Sequence, residues 1–291
     1  MTPMKLGIIG GTGLAQLPGL EGLHEVCIST PFGAPSAALR VGSIAGRELV
    51  FLARHGDQHT LLPSEINYRA NIYALKLVGV THVISVCAVG SLQEHIRPGE
   101  LVLPDQFFDR TRGRREDTFF GHGLVAHVAF AEPLCPRLRA ALAEAARTCN
   151  ITIHSRGTYV NMEGPAFSTR AESQWYRSIG AAVIGMTNLT EAKLAREAEL
   201  CYATLAQVTD YDCWHALHDD VTAADILACL RQTTAHTMTL LHAFCAQWQP
   251  WNDCPCQHAL RAALVTPLSA VPPATLQALH AIIAPYLTDH S

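Results

Sequence analysis

The sequence predicts an α/β protein, a single domain with a mixed central β-sheet flanked by helices and a helical tail at its C-terminal end. Short, near-continuous apolar runs alternate with segments of helical apolar spacing, and such strands are typical of a sheet buried on both faces. The chain has 291 residues, of which 49% are hydrophobic, enough for a full core. No internal repeat or low-complexity linker divides it.

Seven apolar runs predict the strands, in chain order 5–10, 48–56, 82–90, 100–107, 157–164, 182–187 and 201–210. Helices are predicted between them at 67–79, 135–150 and 190–200, where good helix formers carry apolar residues at helical spacing. After residue 218 a long helix is predicted, with Thr222 and Asp225 as a capping signature. A second helical tail is expected from about His258 to Leu287, interrupted by the segment VTPLSAVPPA. We assign residues 1–250 to the α/β domain and 251–291 to a tail that packs on it.

Composition argues against several classes of protein. The formal net charge is −4 and no lysine- or arginine-rich block is present, so we expect no nucleic-acid partner. No apolar run has the length of a membrane span, and the first residues lack the pattern of a signal peptide. The ten cysteines are scattered in mostly apolar contexts. We therefore expect a cytoplasmic protein whose thiols are buried as small hydrophobes.

Cys254 and Cys256, in the segment CPC, are the exception among the cysteines. Their spacing suits a redox pair or half of a metal site. Only His258 lies near them in the sequence, so a zinc site lacks ligands. His55 and His59 are four residues apart, but Gly56 argues against a helix that would present both to a metal. We expect no metal and no cofactor.

The segment GIIGGTGLAQLPG, residues 7–19, runs from a predicted strand into a Gly-rich turn. Such a turn brings backbone N–H groups against a phosphate, and Thr12 adds a hydroxyl. A dinucleotide fingerprint is not favoured, because Gln16 stands where a third Gly or Ala is needed and Pro18 shortens any helix. A plain tight turn remains the alternative.

Three further strand ends carry residues suited to a ligand. Arg54 and His55 follow an apolar run; the Arg fork matches phosphate oxygens, and we expect His55 to donate a hydrogen bond beside it. A surface cation after a strand is the alternative. The turns CAVGSL (87–92) and GMTN (185–188) add small residues around Ala88, the apolar Met186 and the hydroxyl of Thr187. Ligands collect at the carboxyl ends of strands in such sheets.

Asp210 and Asp212 stand one residue apart at the end of the apolar run CYATLAQV. Burying a carboxylate is costly unless it is paired, hydrogen-bonded or protonated. A solvated strand end in which Asp starts a turn explains the pair taken alone. Together with the four other strand ends, the acids favour one cleft that binds an anion and an organic group.

Motifs from about residue 5 to 230 occur in the order found in one family: IIGGTGL, TPFGAPS, RHG, NYRANIYALK, AVGSLQE, DQFFDRT, AEPLCPRLR, MEGPAFSTRAES, IGMTN, EAKLAREAELCYAT and VTDYDCWH. By these motifs the chain resembles the methylthioadenosine phosphorylase branch of the trimeric purine nucleoside phosphorylases. The resemblance implies the nucleoside phosphorylase fold and a pentosyl transfer in which inorganic phosphate, the co-substrate, attacks C1′ of a nucleoside and a purine leaves. It also implies a homotrimer or a hexamer.

The resemblance implies a role for each matching position. Phosphate would be held by six residues: Thr12, Arg54, His55, Cys87, Ala88 and Thr187. Phe167 and the catalytic acids Asp210 and Asp212 would contact the purine, and Met186 would lie under the ribose. The pocket for the 5′ group would comprise His127 from a neighbouring subunit and the helix positions Ala223, Ile226 and Leu227.

Two features favour methylthioadenosine as the substrate. The carboxylate of Asp210 accepts from a 6-amino group, whereas the family members specific for 6-oxopurines carry Asn there. Ala223, Ile226 and Leu227 share one helix face and are apolar, which suits a methylthio group, although a core-facing stripe has the same spacing. An acid with a raised pKa would also assist the leaving base at N7.

Several positions depart from the family pattern and keep alternatives open. Cys87 stands where Ser or Thr is usual, Ala166 where Arg or Gln is usual, and Thr190 where Pro is common; Gln207 interrupts an apolar strand. The alternatives are a phosphorylase of 6-oxopurine nucleosides such as inosine, guanosine or methylthioinosine, an inactive purine-binding homologue, and a zinc or redox protein built on CPC.

Overall fold

The computed structural model describes residues 4–11, 19–215 and 223–287. Thr12 of the expected phosphate turn and Thr222 of the expected helix cap lie outside these residues. Within them, no helix has both the length and the apolar character needed to cross a membrane.

Eleven strands of the described residues form one mixed sheet. They are β1 (Lys5–Gly10), β2 (Glu21–Val26), β3 (Leu39–Ile44), β4 (Arg47–Ala53), β5 (Val80–Ser91), β6 (Leu101–Val102), β7 (Gln106–Arg110), β8 (Ile153–His154), β9 (Thr158–Met162), β10 (Val183–Gly185) and β11 (Cys201–Asp210). The main path runs β2-β3-β4-β1-β5-β10-β9-β7, while β11 joins β5 to β6 and β8 extends from β6. The mixed sheet predicted from the sequence is confirmed.

Strand β5 is the centre of the sheet. It pairs in parallel with β1 on one side and with β11 on the other, and β1 also pairs in parallel with β4. The last residues of β5, Gly90 and Ser91, pair with the antiparallel strand β10. Because β10 runs back along β5, its carboxyl end arrives beside Val89 rather than at the far edge of the sheet. The carboxyl ends of β1, β4, β10 and β11 therefore lie close to one another beside the second half of β5.

Seven helices of the described residues surround the sheet: α1 (Tyr68–Leu77), α2 (Pro136–Thr148), α3 (Arg170–Ser178), α4 (Asn188–Glu197), α5 (Ala223–Gln247), α6 (Pro273–Ala278) and α7 (His280–Leu287). Alternate strand residues face opposite ways, so Ile9 packs with α1, α4 and α7 while Ile8 packs with α2 and α5. Apolar cores thus form on both faces of the sheet, as the near-continuous apolar strands predict.

The C-terminal tail packs into the first of these cores. Leu260, Leu268 and Ile283 are buried with α1 and α4. Glu199 accepts hydrogen bonds from the Leu260 N–H at 2.9 Å and from the Tyr286 hydroxyl at 2.5 Å. The packing of the tail on the α/β core is therefore observed, and the domain boundary at residue 250 stays a prediction.

Three strands and one helix of the structure were not predicted from the sequence. β2 is exposed along almost its whole length, so it lacks the alternation that marks a half-buried strand. The short β8 and the Gly-containing β3 were missed as well, and the predicted strand at 100–107 is divided between β6 and β7. Helix α3 begins with a capping box of Thr169 and Glu172, a signal visible in the sequence.

The tail was predicted to be helical from about His258 to Leu287 with a break at residues 265–274, and this is wrong for the part before the break. A 3₁₀ helix covers Pro255–His258, turns follow, and Leu264 forms an isolated bridge with Ala126. The tail becomes α-helical only at α6, whose first residue is Pro273, where the fixed φ of proline suits a helix start.

Candidate active site

A cavity of about 720 Å³ opens where β1, β4, β5, β10 and β11 converge. Nine of the residues proposed from the sequence line it: Arg54, His55, Cys87, Ala88, Phe167, Met186, Thr187, Asp210 and Asp212. Gly11 also lines it, which brings the start of the Gly-rich turn to the same cavity. The strand-end clustering expected from the sequence is thus present, although β5 contributes Cys87 and Ala88 from within the strand.

Arg54 is buried, with 2% of its surface exposed, and its guanidinium is hydrogen-bonded to protein groups. Its Nε and Nη2 donate to the carboxylate of Glu191, its Nη2 also to the Ser85 hydroxyl at 2.6 Å, and its Nη1 to the Val86 carbonyl at 3.0 Å. A guanidinium has five N–H groups. These contacts use four, so one Nη1 hydrogen remains for a ligand in the cavity.

Glu191 is the centre of this polar network and was missed from the sequence. It is 1% exposed and accepts hydrogen bonds from Ser85 at 2.6 Å and from the Tyr202 hydroxyl at 2.8 Å as well as from Arg54. Asn188 adds donors to Ser85 and Tyr202. An acid in the first turn of a helix is ordinary, so nothing in the sequence marks Glu191 as the partner of Arg54.

The N-terminus of α4 faces the same end of the cavity. Thr187 is the N-cap residue of this ten-residue helix, lines the cavity and is 5% exposed. Its hydroxyl donates to Asn188 Oδ1 at 3.1 Å. Helix N-termini carry partial positive charge and favour anions. Arg54, Thr187 and the start of α4 together form an anion-binding end.

The ring of His55 is neutral, and one of its two nitrogens is already engaged by the protein. Its Nδ1 lies 2.9 Å from the Leu61 carbonyl, which can only accept, so Nδ1 carries the hydrogen. Burial, followed by the charge of Arg54, lowers the pKa of His55 to about 4. At neutral pH Nε2 is therefore an acceptor. With this tautomer the neutral ring offers Nε2 as an acceptor, and the expected contact of His55 with phosphate stays a prediction.

Cys87 presents a neutral thiol to the cavity. It is 8% exposed, and burial raises its pKa to about 12. The departure from a hydroxyl at this position therefore adds no negative charge that would repel an anion. It does replace a good hydrogen-bond donor by a weak one.

Asp210 and Asp212 line the other end of the cavity, because the chain turns sharply between them. Asp212 has φ of +52°, a left-handed conformation that Asp tolerates better than most residues. Its N–H donates to Asp210 Oδ1 at 2.7 Å, and the Thr209 hydroxyl donates to Oδ2 at 2.6 Å. Gly90 leaves room for this turn, since an added Cβ would meet Asp210 Oδ1 at 2.8 Å.

The two acids differ in their hydrogen bonding. Burial raises the pKa of Asp210, and the two hydrogen bonds that it accepts oppose this effect. Burial also raises the pKa of Asp212. The Oδ2 atom of Asp212 is buried and has no partner within the described part of the chain. Asp210 thus accepts two hydrogen bonds from the protein, whereas the nearby hydroxyls of Ser173 and Ser168 oppose the effect of burial on the pKa of Asp212.

Met186 and Phe167 also line the cavity. The loop around Met186 is fixed by Arg115. The Arg115 guanidinium donates to Glu163 Oε1 at 3.1 Å, to the Glu163 carbonyl at 2.7 Å and to the Met186 carbonyl. Arg115 is 8% exposed and does not line the cavity. It is a positioning residue that the sequence analysis missed.

The expected 5′ pocket is described in part. The side chains of Ala223, Ile226 and Leu227 lie outside the described residues. Further along the same helix, α5, the cavity is lined by Leu230, Arg231, Thr234 and Met238. His127 is exposed, and its backbone N–H donates to the Ala263 carbonyl at 2.9 Å. It does not line the cavity of its own chain.

Residues 5–246 match the model of the phosphorylase superfamily. The chain therefore belongs to this enzyme superfamily, and its fold is that of a phosphorylase. Among its relatives, the S-methyl-5′-thioadenosine phosphorylase of Geobacter sulfurreducens is 51% identical over 282 residues, 97% of this chain and 99% of the relative. That of Bradyrhizobium diazoefficiens is 54% identical over 286 residues, 97% of this chain and 98% of the relative.

Solved structures agree with the fold. A methylthioadenosine phosphorylase from an Antarctic soil metagenomic library superposes with a TM-score of 0.91 at 46% identity, covering 97% of this chain and 99% of the other. The Schistosoma mansoni methylthioadenosine phosphorylase in complex with adenine has a TM-score of 0.83 at 37% identity, covering 89% of this chain and 96% of the other. The resemblance read from the motifs is confirmed.

Replacing Glu191 by Gln tests the buried network. We expect the free energy of unfolding to fall by roughly 3–5 kcal/mol, because the buried Arg54 charge loses its counter-ion. Urea unfolding followed by circular dichroism measures the change. Glu144→Gln is the matched control: Glu144 pairs with Arg147 on the surface of α2, and we expect little effect there. Equal losses in the two variants would contradict the special role of Glu191.

The neutral state of His55 predicts a pH dependence of stability. Unfolded His55 takes up a proton below its ordinary pKa of 6.5, whereas the native residue does so only near 4. The unfolded state therefore binds more protons in this window, and stability falls as the pH is lowered through it. His55→Asn, whose amide can still donate to the Leu61 carbonyl, removes this contribution.

The measurement is urea unfolding of the unchanged protein and of His55→Asn between pH 7 and pH 4, in buffers without phosphate. Glu197, whose pKa burial raises to about 7, acts in the opposite direction in both proteins, so the difference between them isolates His55. Equal slopes would show that native His55 titrates at its ordinary pKa.

Proposed function

We propose that the protein cleaves the N-glycosidic bond of 5′-methylthioadenosine with inorganic phosphate, giving adenine and 5-methylthioribose 1-phosphate. One observation supports it most: Arg54, the N-terminus of α4 and a pair of buried acids line the same cavity, and Met186 lines it too. Relatives named as this phosphorylase share about half of their residues with the chain over nearly its full length. The reaction belongs to purine salvage and needs no cofactor apart from the co-substrate phosphate.

At the anion end, phosphate accepts the free Nη1 hydrogen of Arg54 and faces the N-terminus of α4. Because Glu191 balances the Arg54 charge, the phosphate keeps most of its own negative charge. That charge lies next to the sugar carbon, which becomes positive as the glycosidic bond breaks. A protonated phosphate oxygen donates to Nε2 of His55, which fixes the orientation of the attacking anion.

At the acid end, the purine lies against Phe167 with its N6/N7 edge toward the two acids. Asp210, already held by Thr209 and by the Asp212 N–H, accepts from the 6-amino group. Asp212, which also lines the cavity and whose pKa burial raises, supplies the proton or hydrogen bond to N7. Negative charge on the departing base is thereby neutralised.

Rates with methylthioadenosine, adenosine, inosine and methylthioinosine test the substrate. We expect adenine release to require phosphate and methylthioadenosine to give the highest kcat/KM, because α5 presents Leu230 and Met238 to the cavity and the expected 5′ pocket positions are apolar. Preference for inosine would favour the 6-oxopurine alternative, and nucleoside binding without turnover would favour the inactive homologue.

Asp210→Asn tests base recognition. The amide oxygen still accepts from the Asp212 N–H, but the NH₂ group faces a 6-amino donor. We expect kcat/KM for methylthioadenosine to fall on the order of 10²-fold more than that for methylthioinosine. Asp117→Asn, which alters the surface pair with Lys193, serves as the control. Equal losses on both nucleosides would argue against Asp210 as the group that reads position 6.

We also propose that the enzyme is a cytoplasmic homotrimer in which His127 completes the cavity of a neighbouring subunit. In support, Phe167 lines the cavity yet is 48% exposed, so the cavity is open on that side. Val125 and Val265, near His127, are exposed apolar residues. Cell fractionation tests the compartment.

Sedimentation equilibrium tests the assembly, and His127→Ala tests the shared site. We expect a trimeric mass for both proteins and a higher KM for methylthioadenosine in the variant, since the substrate loses a contact while the interface remains. A monomeric mass would refute the proposed homotrimer. An unchanged KM in a trimeric variant would refute the role of His127 in the neighbouring cavity.

A further inference from the structure

Four buried cysteines meet away from the cavity, and the phosphorylase reaction uses none of them. Cys135 is the N-cap residue of α2, Cys201 is the first residue of β11, and Cys254 and Cys256 belong to the 3₁₀ turn near the start of the tail. Each is at most 5% exposed. Their four Sγ atoms all lie within 4.8 Å of one another, and those of Cys135 and Cys254 are 3.7 Å apart.

We propose that these four thiols form a structural zinc site. With Zn–S bonds of about 2.3 Å in a tetrahedron, ligand sulfurs are roughly 3.8 Å apart. The observed spacing needs only a small contraction of the cluster to reach this geometry. Four thiolates in a closed, buried shell are typical of structural zinc, and the site leaves no open position for catalysis.

The sequence analysis rejected zinc because only His258 lies near Cys254 and Cys256. That reason is wrong: the missing ligands come from Cys135 and Cys201, distant in the chain and adjacent in the fold. The spacing CPC supplies half of the site, as the sequence suggested, and the sheet and α2 supply the other half.

The turn that carries two of the thiols is fixed by the protein itself. Gln257 accepts from the Cys254 N–H at 3.3 Å and donates to the Trp251 carbonyl at 3.0 Å. On its outer side, Arg137 pairs with Asp253 at 2.6 Å and lies over the ring of Trp251. These contacts present both sulfurs toward the interior before a metal arrives, which lowers the entropic cost of binding it.

Buried thiols often act only as small apolar groups. That explanation fits Cys245, which is fully buried in α5 without belonging to the cluster. Apolar packing does not account for the clustering of four sulfurs, which come from three separate segments and lie within 4.8 Å of one another. Disulfides are the other use of paired thiols. They require a sulfur–sulfur bond of about 2.05 Å and an oxidant, and all ten cysteines are free in the structure.

A zinc ion at this position would join the tail to α2 and to β11. Metal-binding free energy adds to folding free energy when the site forms only in the native state. The same strand, β11, carries Asp210 at its other end. Zinc would thus stabilise the tail and the start of the strand without entering the reaction.

The first experiment measures metal in the full chain, expressed with zinc in the medium and purified without chelators. We expect one equivalent of zinc by mass spectrometry and a zinc-edge absorption spectrum with a shell of sulfur near 2.3 Å. Cobalt substitution should give the visible bands of a tetrahedral tetrathiolate. Iron in place of zinc, or neither metal, would overturn the proposal.

The second experiment uses matched variants. We expect Cys254→Ser to lose most of the bound zinc and to unfold at a lower temperature, while Cys245→Ser keeps its zinc. If Cys254→Ser does not fold, the metal content and the thiol count of the unchanged protein decide whether the zinc site exists. Ten free thiols in denaturant, without metal, would mean that the cluster is apolar packing. A mass lower by two hydrogens for each pair would mean disulfides. Both results refute the zinc site.

Discussion

The buried ion pair of Arg54 and Glu191 is the interaction on which the site depends. It joins the end of β4 to the first turn of α4, and through Ser85 and Tyr202 it reaches β5 and β11. A charged pair with almost no exposed surface is costly to desolvate, and such pairs persist only when nearly every donor and acceptor is satisfied. Here the hydrogen bonds of Arg54 to Glu191, Ser85 and Val86 fix the orientation of the guanidinium. Only one of its five N–H groups is left for a ligand.

The remaining geometry follows from how the strands meet around that pair. Parallel strands β1, β4, β5 and β11 end toward the same side, and the antiparallel β10 returns along β5 to add Met186 and Thr187. The anion end is thus built on rigid elements. The acid end is built on a turn, where the left-handed backbone of Asp212 and the absence of a side chain at Gly90 make room for two carboxyl groups.

Much of the fold and of the site was predictable, because the deciding signals are local. Near-continuous apolar runs marked the central strands, and residues directly after them, such as Arg54 and Thr187, were placed in one cavity by topology alone. Glu191, Arg115 and the four-sulfur cluster were not predictable in this way. Their chemistry depends on partners distant in the chain, as with Cys135 and Cys254, which are 119 residues apart. The prediction of β2 failed for a different reason. This exposed strand is held by backbone hydrogen bonds to β3, and such pairing leaves no apolar pattern in the sequence.

The tautomer of His55 bears on which anions the enzyme accepts. With Nδ1–H committed to the Leu61 carbonyl, the ring offers a lone pair and no hydrogen. Hydrogen phosphate carries an O–H group that can donate a hydrogen bond to this lone pair. Sulfate, nearly identical in size and shape, is fully deprotonated at neutral pH and would bring oxygen lone pairs against it. With phosphate bound at the anion end as proposed, a single imidazole orientation would let the enzyme distinguish two tetrahedral oxyanions by the proton that only one of them holds.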